Sequence, residues 1–348
     1  MKQLKYFFFL PVSLGLFLLS CNKNNTTDPT TNSGNWVNIS NSFPGDQRNS
    51  AVSFVIGDTA YIGTGYSQSR NLRYSDLWSF NPTKGWSQLN SAPAGFTPRS
   101  NATAFAVGNN GYITLGQDNN NNFLKDTWQF SVATNSWTKK ADFGGTARID
   151  ATAFSIGSLG YVLCGYDQGS NRKDSWQYNP TTDTWSLTAI QFNGNKRRGA
   201  IALVYSNKAY IVTGVDDGGG GLVHDLIVFD PSNSSTPWIQ KRDISNTSSD
   251  SYDDDYTDII RDHGVGFVMG DSAYITLGNN GGYNTKTCGY KFSDDTWFRK
   301  TTFEKAGRSN SIGFTVKGQS YVTTGRSRTQ DLDDLNQWFP YDTYNVND

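Results

Sequence analysis

The chain repeats itself, and the period of the repeat limits the folds open to it. From Arg48 to Trp86 it reads a small-and-apolar run Ala51-Val52-Ser53-Phe54-Val55-Ile56, a Gly57-Asp58 turn, and Ala60-Tyr61-Ile62-Gly63-Thr64-Gly65. A polar loop follows, then Asp76-Leu77-Trp78-Ser79-Phe80, a Lys84-Gly85 turn and Trp86. These are short alternating strand patterns punctuated by turn residues. The same order returns from Arg99, Arg148, Arg198 and Arg261, and in shortened form from Arg308, at steps of 51, 49, 50, 63 and 47 residues. One four-strand unit about every 50 residues predicts an all-β closed array of six blades rather than two independent domains.

Each unit carries the same marks. Second strands end Thr64-Gly65, Leu115-Gly116, Cys164-Gly165, Thr213-Gly214, Leu277-Gly278 and Thr324-Gly325. Third strands open on Asp76-Leu-Trp, Asp126-Thr-Trp, Asp174-Ser-Trp and Asp225-Leu-Ile, with weaker counterparts at Cys288-Gly-Tyr and Gln337-Trp-Phe. Trp86, Trp137, Trp185, Trp238 and Trp297 announce the fourth strands. Over residues 35–348 this pattern resembles the kelch repeat, which implies a six-bladed β-propeller. The chain departs from the kelch pattern in keeping only the second Gly of the Gly-Gly pair after each second strand. A side chain at the first position predicts a residue with no need of a glycine-only backbone conformation there, and a strand ending that differs locally. The last unit lacks a fourth strand, and Asn35-Trp36-Val37-Asn38-Ile39 precedes Arg48 as a fourth strand precedes the other arginines. The strand around Trp36 is therefore expected to close the sixth blade and remove two free edges.

Before the array, Lys2 and Lys5 lead into an apolar stretch Tyr6 to Leu19 that is too short to span a bilayer, which reads as a signal peptide over residues 1–20. Leu18-Leu19-Ser20-Cys21 resembles a bacterial lipobox. That resemblance implies lipidation of Cys21 and a membrane anchor in the cell envelope, with an outer-membrane location expected, on the periplasmic or the surface side; the chain is expected to be a monomer. Residues 21–34 are Asn- and Thr-rich with little to bury, as a tether would be. Cys164 and Cys288 fall in blades three and five, too far apart for a disulfide.

A net charge of −1 and a pI near 6 argue against nucleic acid as a partner. Loops between second and third strands should share one face with the loops leading into first strands. They carry Tyr66, Phe123, Tyr166 and Tyr283 among Asn, Gly and Asp, a mixture suited to a glycan or a partner protein. Arg48, Arg99, Arg148, Arg198, Arg261 and Arg308 are expected at the channel mouth, either as a cationic ring for ligand carboxylates or as scaffold paired with Asp76, Asp126 and Asp174. Asp250, Asp253, Asp254, Asp255 and Asp258 form an acidic insertion that reads as a solvated lid or a calcium loop without the Gly and Glu of an EF-hand.

Catalytic material is sparse, with two histidines and one glutamate. Galactose oxidase, another kelch propeller, uses copper held by His and Tyr, and this spacing of His224 and His263 gives no such metal site. N-acetylneuraminate epimerase, similar in blade count, is a sugar isomerase. That resemblance makes His263, Glu304 and Asp150 candidate acid–base groups in the central channel. The preferred reading is a binding module with no cofactor, and a carbohydrate isomerase is the alternative.

Overall fold

The computed structural model describes residues 33–40, 42–241, 243–244 and 256–345, with Met1 and Asn347. The signal peptide, Cys21, most of the tether, and Asp250 and Asp253–Asp255 lie outside the described residues. Every regular element among the described residues is a β-strand. Six antiparallel four-stranded sheets form a ring of blades, a β-propeller. The first strands (Val52–Ile56, Thr103–Val107, Thr152–Ile156, Ile201–Tyr205, Val265–Met269 and Ile312–Val316) pack against one another around the central channel. Their channel-facing positions are small, as at Ala102, Ala104, Ala151, Ala153, Ala200 and Ala202. Bulkier side chains there would fill the axis where all six strands converge.

Aromatic rings stack within each blade and also meet across blades, as Phe80 meets Tyr321 at 5.2 Å. Phe54 and Tyr61 are opposed across the first two strands and stack at 5.1 Å, and Phe105–Tyr112 and Phe154–Tyr161 repeat the pair. Such pairs add about 0.5–1.5 kcal/mol beyond the area they bury.

The ring closes as the sequence predicts. Ser33–Ile39 pairs antiparallel with Leu335–Thr343, placing Trp36 opposite Trp338 and Ile39 opposite Leu335. The Trp36 indole is fully buried, 4.8 Å from Trp338 and 5.1 Å from Phe303, and its Nε1 donates to Thr287 Oγ1 at 3.1 Å. The N-terminal strand thus touches blades 5 and 6 at once.

Two third-strand alignments differ from the sequence reading. Leu335, not a residue after Gln337, pairs with Thr323, so the sixth third strand opens at Asp334. In blade 5 Ile275 pairs with Cys288 as Ile62 pairs with Trp78, so Lys286 occupies the position of Asp76. Both third strands lack the Asp-x-Trp signature, which left their register unmarked. Cys164 and Cys288 are buried free thiols, and burial pushes them up to about 12 and about 11.

The closing strand generates a test. Trp36→Ala removes a fully buried indole and should cost about 3–5 kcal/mol. Deleting Asn35 to Ser40 should expose two edges and cause aggregation. A deletion variant that melts like its parent in calorimetry would sink the closure account.

Candidate functional site

The loop face is built from a buried cation in each blade. Arg48 places Nη1 and Nη2 on Asp76 at 2.6 and 2.9 Å, and Arg99–Asp126 and Arg148–Asp174 repeat the fork. Arg308 does the same with Asp334. The guanidinium of each lies 4.4–5.3 Å from a Phe ring: Phe43, Phe96, Phe143 and Phe303 in turn. These arginines are 0–1% exposed, so they cannot meet a ligand. The cationic-ring expectation fails for Arg48, Arg99, Arg148, Arg261 and Arg308, because their donors are spent inside the blade.

Blade 4 corrects the alignment as well. Arg197, not Arg198, takes the buried place, bonding Asp225 Oδ2 at 2.5 Å and stacking on Phe192. Every buried arginine donates Nη1 to the carbonyl oxygen 16 residues further on: Thr64, Leu115, Cys164, Thr213, Leu277 and Thr324. Those acceptor residues all take left-handed conformations, with φ of 57–66°. That backbone is left-handed without being restricted to glycine, as a side chain at this position requires. The arginine bond and burial hold a conformation that costs non-Gly residues about 1–2 kcal/mol.

The glycine that follows each is the one that must be glycine. Its φ is 90–105°, and a Cβ on Gly65 would stand 2.9 Å from the Asn49 carbonyl oxygen. Its N–H donates to the next blade's arginine carbonyl, as in Gly65 to Arg99 and Gly325 to Arg48, so six bonds of 2.8–2.9 Å run round the ring. A second ring lies two residues after each buried arginine. Ser50, Asn101, Asp150, Gly199, His263 and Asn310 all have φ of 47–62°. Each donates its N–H to the preceding member's carbonyl, Ser50 to Asn310 included, at 2.9–3.2 Å.

This second ring is the neck of the channel and lines a cavity of about 170 Å³. His263 is the centre of its chemistry. Its Nδ1 lies 2.6 Å from Asp262 Oδ1 and its Nε2 3.2 Å from Asp150 Oδ2, with the side chain 12% exposed. Burial works against a charged imidazole, but Asp150 and Asp262 outweigh it and push the pKa up to about 9. Burial would raise Asp150, yet His263, Asn101 and Arg198 hold it below the usual carboxylate range. Asn101 Nδ2 donates to Asp150 Oδ1 at 2.8 Å, and Asn279 Nδ2 to Asp262 Oδ1 at 2.9 Å. Arg198 stands one residue above the neck, bonding Asp217 at 2.5 Å and Asp150 at 3.3 Å. It alone of the six arginines expected at the mouth is there.

The structure brings His263 and Asp150 together but not Glu304, which lines a separate cavity with Lys286, Arg299 and Tyr344. The aromatic residues stand on the rim, where Tyr66 and Tyr166 pair through backbone bridges with Asn49 and Ile149. Tyr66 carries the Arg73 guanidinium 5.0 Å over its ring, Phe123 meets Tyr166 edge-on at 6.2 Å, and Tyr283 is 38% exposed. Sequence reasoning missed Asp262 and Asn101. Their signal is their offset, one and two residues after a buried arginine.

The His263 clasp has a thermodynamic consequence. A pKa raised in the folded state stabilises fully below the unfolded value near 6.5, and that contribution is lost as pH rises through about 9. The wild-type stability should therefore fall by about 3 kcal/mol across that window. His263→Gln should flatten the dependence in urea melts at pH 6, 7.5 and 9.5. Equal slopes for the two proteins would refute the clasp.

No protein-family model matches the chain, and no curated protein sequence matches it. Solved structures do, 622 chains among them, so the architecture is widely shared and identifies no single activity. One, titled "Structure of YjhT", aligns over 84% of this chain and 95% of that one with a TM-score of 0.70 at 15% identity. At that identity the likeness speaks for the fold alone. Together with the repeats and the closed six-blade ring, it shows that the chain has a kelch-type β-propeller fold.

Proposed function

We propose that the neck of the channel, on the loop face, binds one ring of a glycan without converting it. The observation that carries this reading is the fixed polar lining of the neck: Asn101, Asp150, His263 and Asn310, one side chain per blade, set by left-handed backbone around a concave cavity. Preorganised donors and acceptors of this kind suit a hydroxyl-rich ligand, and the rim tyrosines supply apolar faces beside them. A cavity of about 170 Å³ suits a single sugar ring better than a folded partner.

Support for binding over isomerisation comes from the same clasp. A general base needs a free nitrogen and a pKa near its working pH. Both His263 nitrogens are engaged by carboxylates, its pKa is pushed up to about 9, and Glu304 lines another cavity. The proposal keeps the lipid anchor at Cys21 and the envelope location, which rest on Leu18-Leu19-Ser20-Cys21. Labelled palmitate should enter the wild-type chain and not Cys21→Ala.

The test of binding is a glycan array probed with residues 33–348, with proton NMR following each hit for anomer or epimer exchange. Saturable binding without exchange is expected, and Asp150→Asn should weaken it at least tenfold, about 1.4 kcal/mol. Catalysed exchange abolished by Asp150→Asn would overturn the binding reading and install the isomerase.

A further inference from the structure

A second cavity, of about 720 Å³, opens on the loop face beside blade 3. Trp176 forms part of its wall and is partly exposed, whereas the corresponding Trp128 of blade 2 is buried. The Trp176 Nε1 is committed to Asp174 Oδ2 at 2.7 Å, so the indole offers its apolar ring. Gly144 packs closely against one part of that ring, where a Cβ would stand 2.3 Å from Cζ3, and Phe143 meets it at 5.4 Å, so only the remainder of the indole faces the cavity. The exposed part of the indole can meet the C–H face of a pyranose.

The opposite wall is cationic. Arg172 is satisfied by Asp167 at 2.5 Å. Lys173 is exposed and has no ion pair among the described residues. Lys196 is 43% exposed, and its ammonium stands 4.0 Å from Asp216, at the limit of an ion pair. Asn171, on the same wall, is 4% exposed, and its Oδ1 is a buried acceptor with no hydrogen-bond partner. Unpaired buried acceptors are rare, and a ligand hydroxyl would satisfy this one. The groove and the neck are separate cavities joined by one hydrogen-bonded path: Asn171 Nδ2 donates to the Val215 carbonyl at 3.2 Å, Val215 pairs with Arg198, and Arg198 bonds Asp150.

We propose that this groove binds the second and later residues of a carboxylate-bearing oligosaccharide whose end ring sits in the neck. The inference rests on the glycan reading of the neck and adds the ligand's charge and direction. The indole takes a ring face, Lys173 and Lys196 take carboxylates, and Asn171 accepts from a hydroxyl. An acidic peptide would use the lysines but has no need of a partly exposed indole beside them.

The test is calorimetry on the full chain in detergent with four probes: an oligogalacturonate hexamer, its methyl ester, a sulfated heparin hexasaccharide and a polyglutamate peptide. The hexamer should bind at least tenfold tighter than its ester and lose affinity as salt rises. Lys173→Glu with Lys196→Glu, both on exposed side chains, should abolish that preference by weakening the hexamer at least tenfold more than the ester. Trp176→Ala, accepted only if it melts natively, should weaken hexamer and ester alike. Equal affinity for hexamer and ester, or no effect of the lysine pair, would overturn the groove. Equal or tighter binding of the sulfated or polyglutamate probe would overturn the carboxylated-sugar assignment. Hexamer binding sensitive to the lysine pair but indifferent to Asp150→Asn would overturn the neck reading while the groove stands.

Discussion

The buried arginine is the interaction on which the rest of the propeller depends. Its fork to an aspartate neutralises it, its Phe partner shields it, and its Nη1 pins a carbonyl 16 residues away. That last bond connects blade architecture to the channel. It holds Thr64 and its five counterparts in left-handed backbone, which turns the following glycine's N–H toward the next blade's arginine carbonyl. Each arginine therefore fixes its own blade through its side chain and receives the previous blade through its backbone. Burying six guanidinium groups is costly unless each is paired and hydrogen-bonded, and removing one partner leaves an uncompensated charge worth about 3–5 kcal/mol.

Blade 5 shows how far the device can be altered. Lys286 stands where a carboxylate stands in the other five, and Arg261 is instead held by the carbonyls of Asp258, Ile259, Leu277 and Lys286 at 2.8–3.0 Å. Four dipoles replace one charge, and burial pushes the Arg261 pKa down. The bond to Leu277 survives the change, and with it the left-handed turn and both hydrogen-bond rings. The carboxylate is thus the replaceable part, and the pinned carbonyl is the part every blade keeps.

Repetition made the fold legible and blurred the site. Six units, their strand order and the closing strand at Trp36 were all visible, because aromatic and turn residues recur at fixed offsets. Arg197 was missed for Arg198 because adjacent arginines satisfy a pattern that tolerates one residue of drift, although only Arg197 keeps the 16-residue offset to Thr213. The left-handed residues were illegible because their cost is met by burial and an arginine bond, neither of which a local motif displays. Asp150 and His263 are both legible as candidate polar groups, but their meeting across Gly199 depends on ring curvature. Gly199 supplies no side chain, and a Cβ there would lie 2.8 Å from the His263 ring, so the gap in blade 4 is what lets His263 of blade 5 reach Asp150 of blade 3.

That gap explains why a sixfold frame yields a one-sided site. Backbone bonds place six equivalent positions around the neck, so no blade is favoured by geometry. The side chains break the symmetry: Ser50 and Asn310 are neutral, Gly199 is empty, and Asp150, His263, Arg198 and Asp262 put the charge across blades 3 to 5. The Trp176 groove lies beside the same blades, with Lys196 two residues before the arginine that borders the neck. Fixed charges on one arc select the orientation of a ligand as well as its identity, since turning it by one blade would exchange the Asp150 carboxylate for the Asn101 amide or the empty Gly199 position. A rigid ring of repeats therefore needs only a few departures on one side to become a directional site, and here the departures adjoin one another.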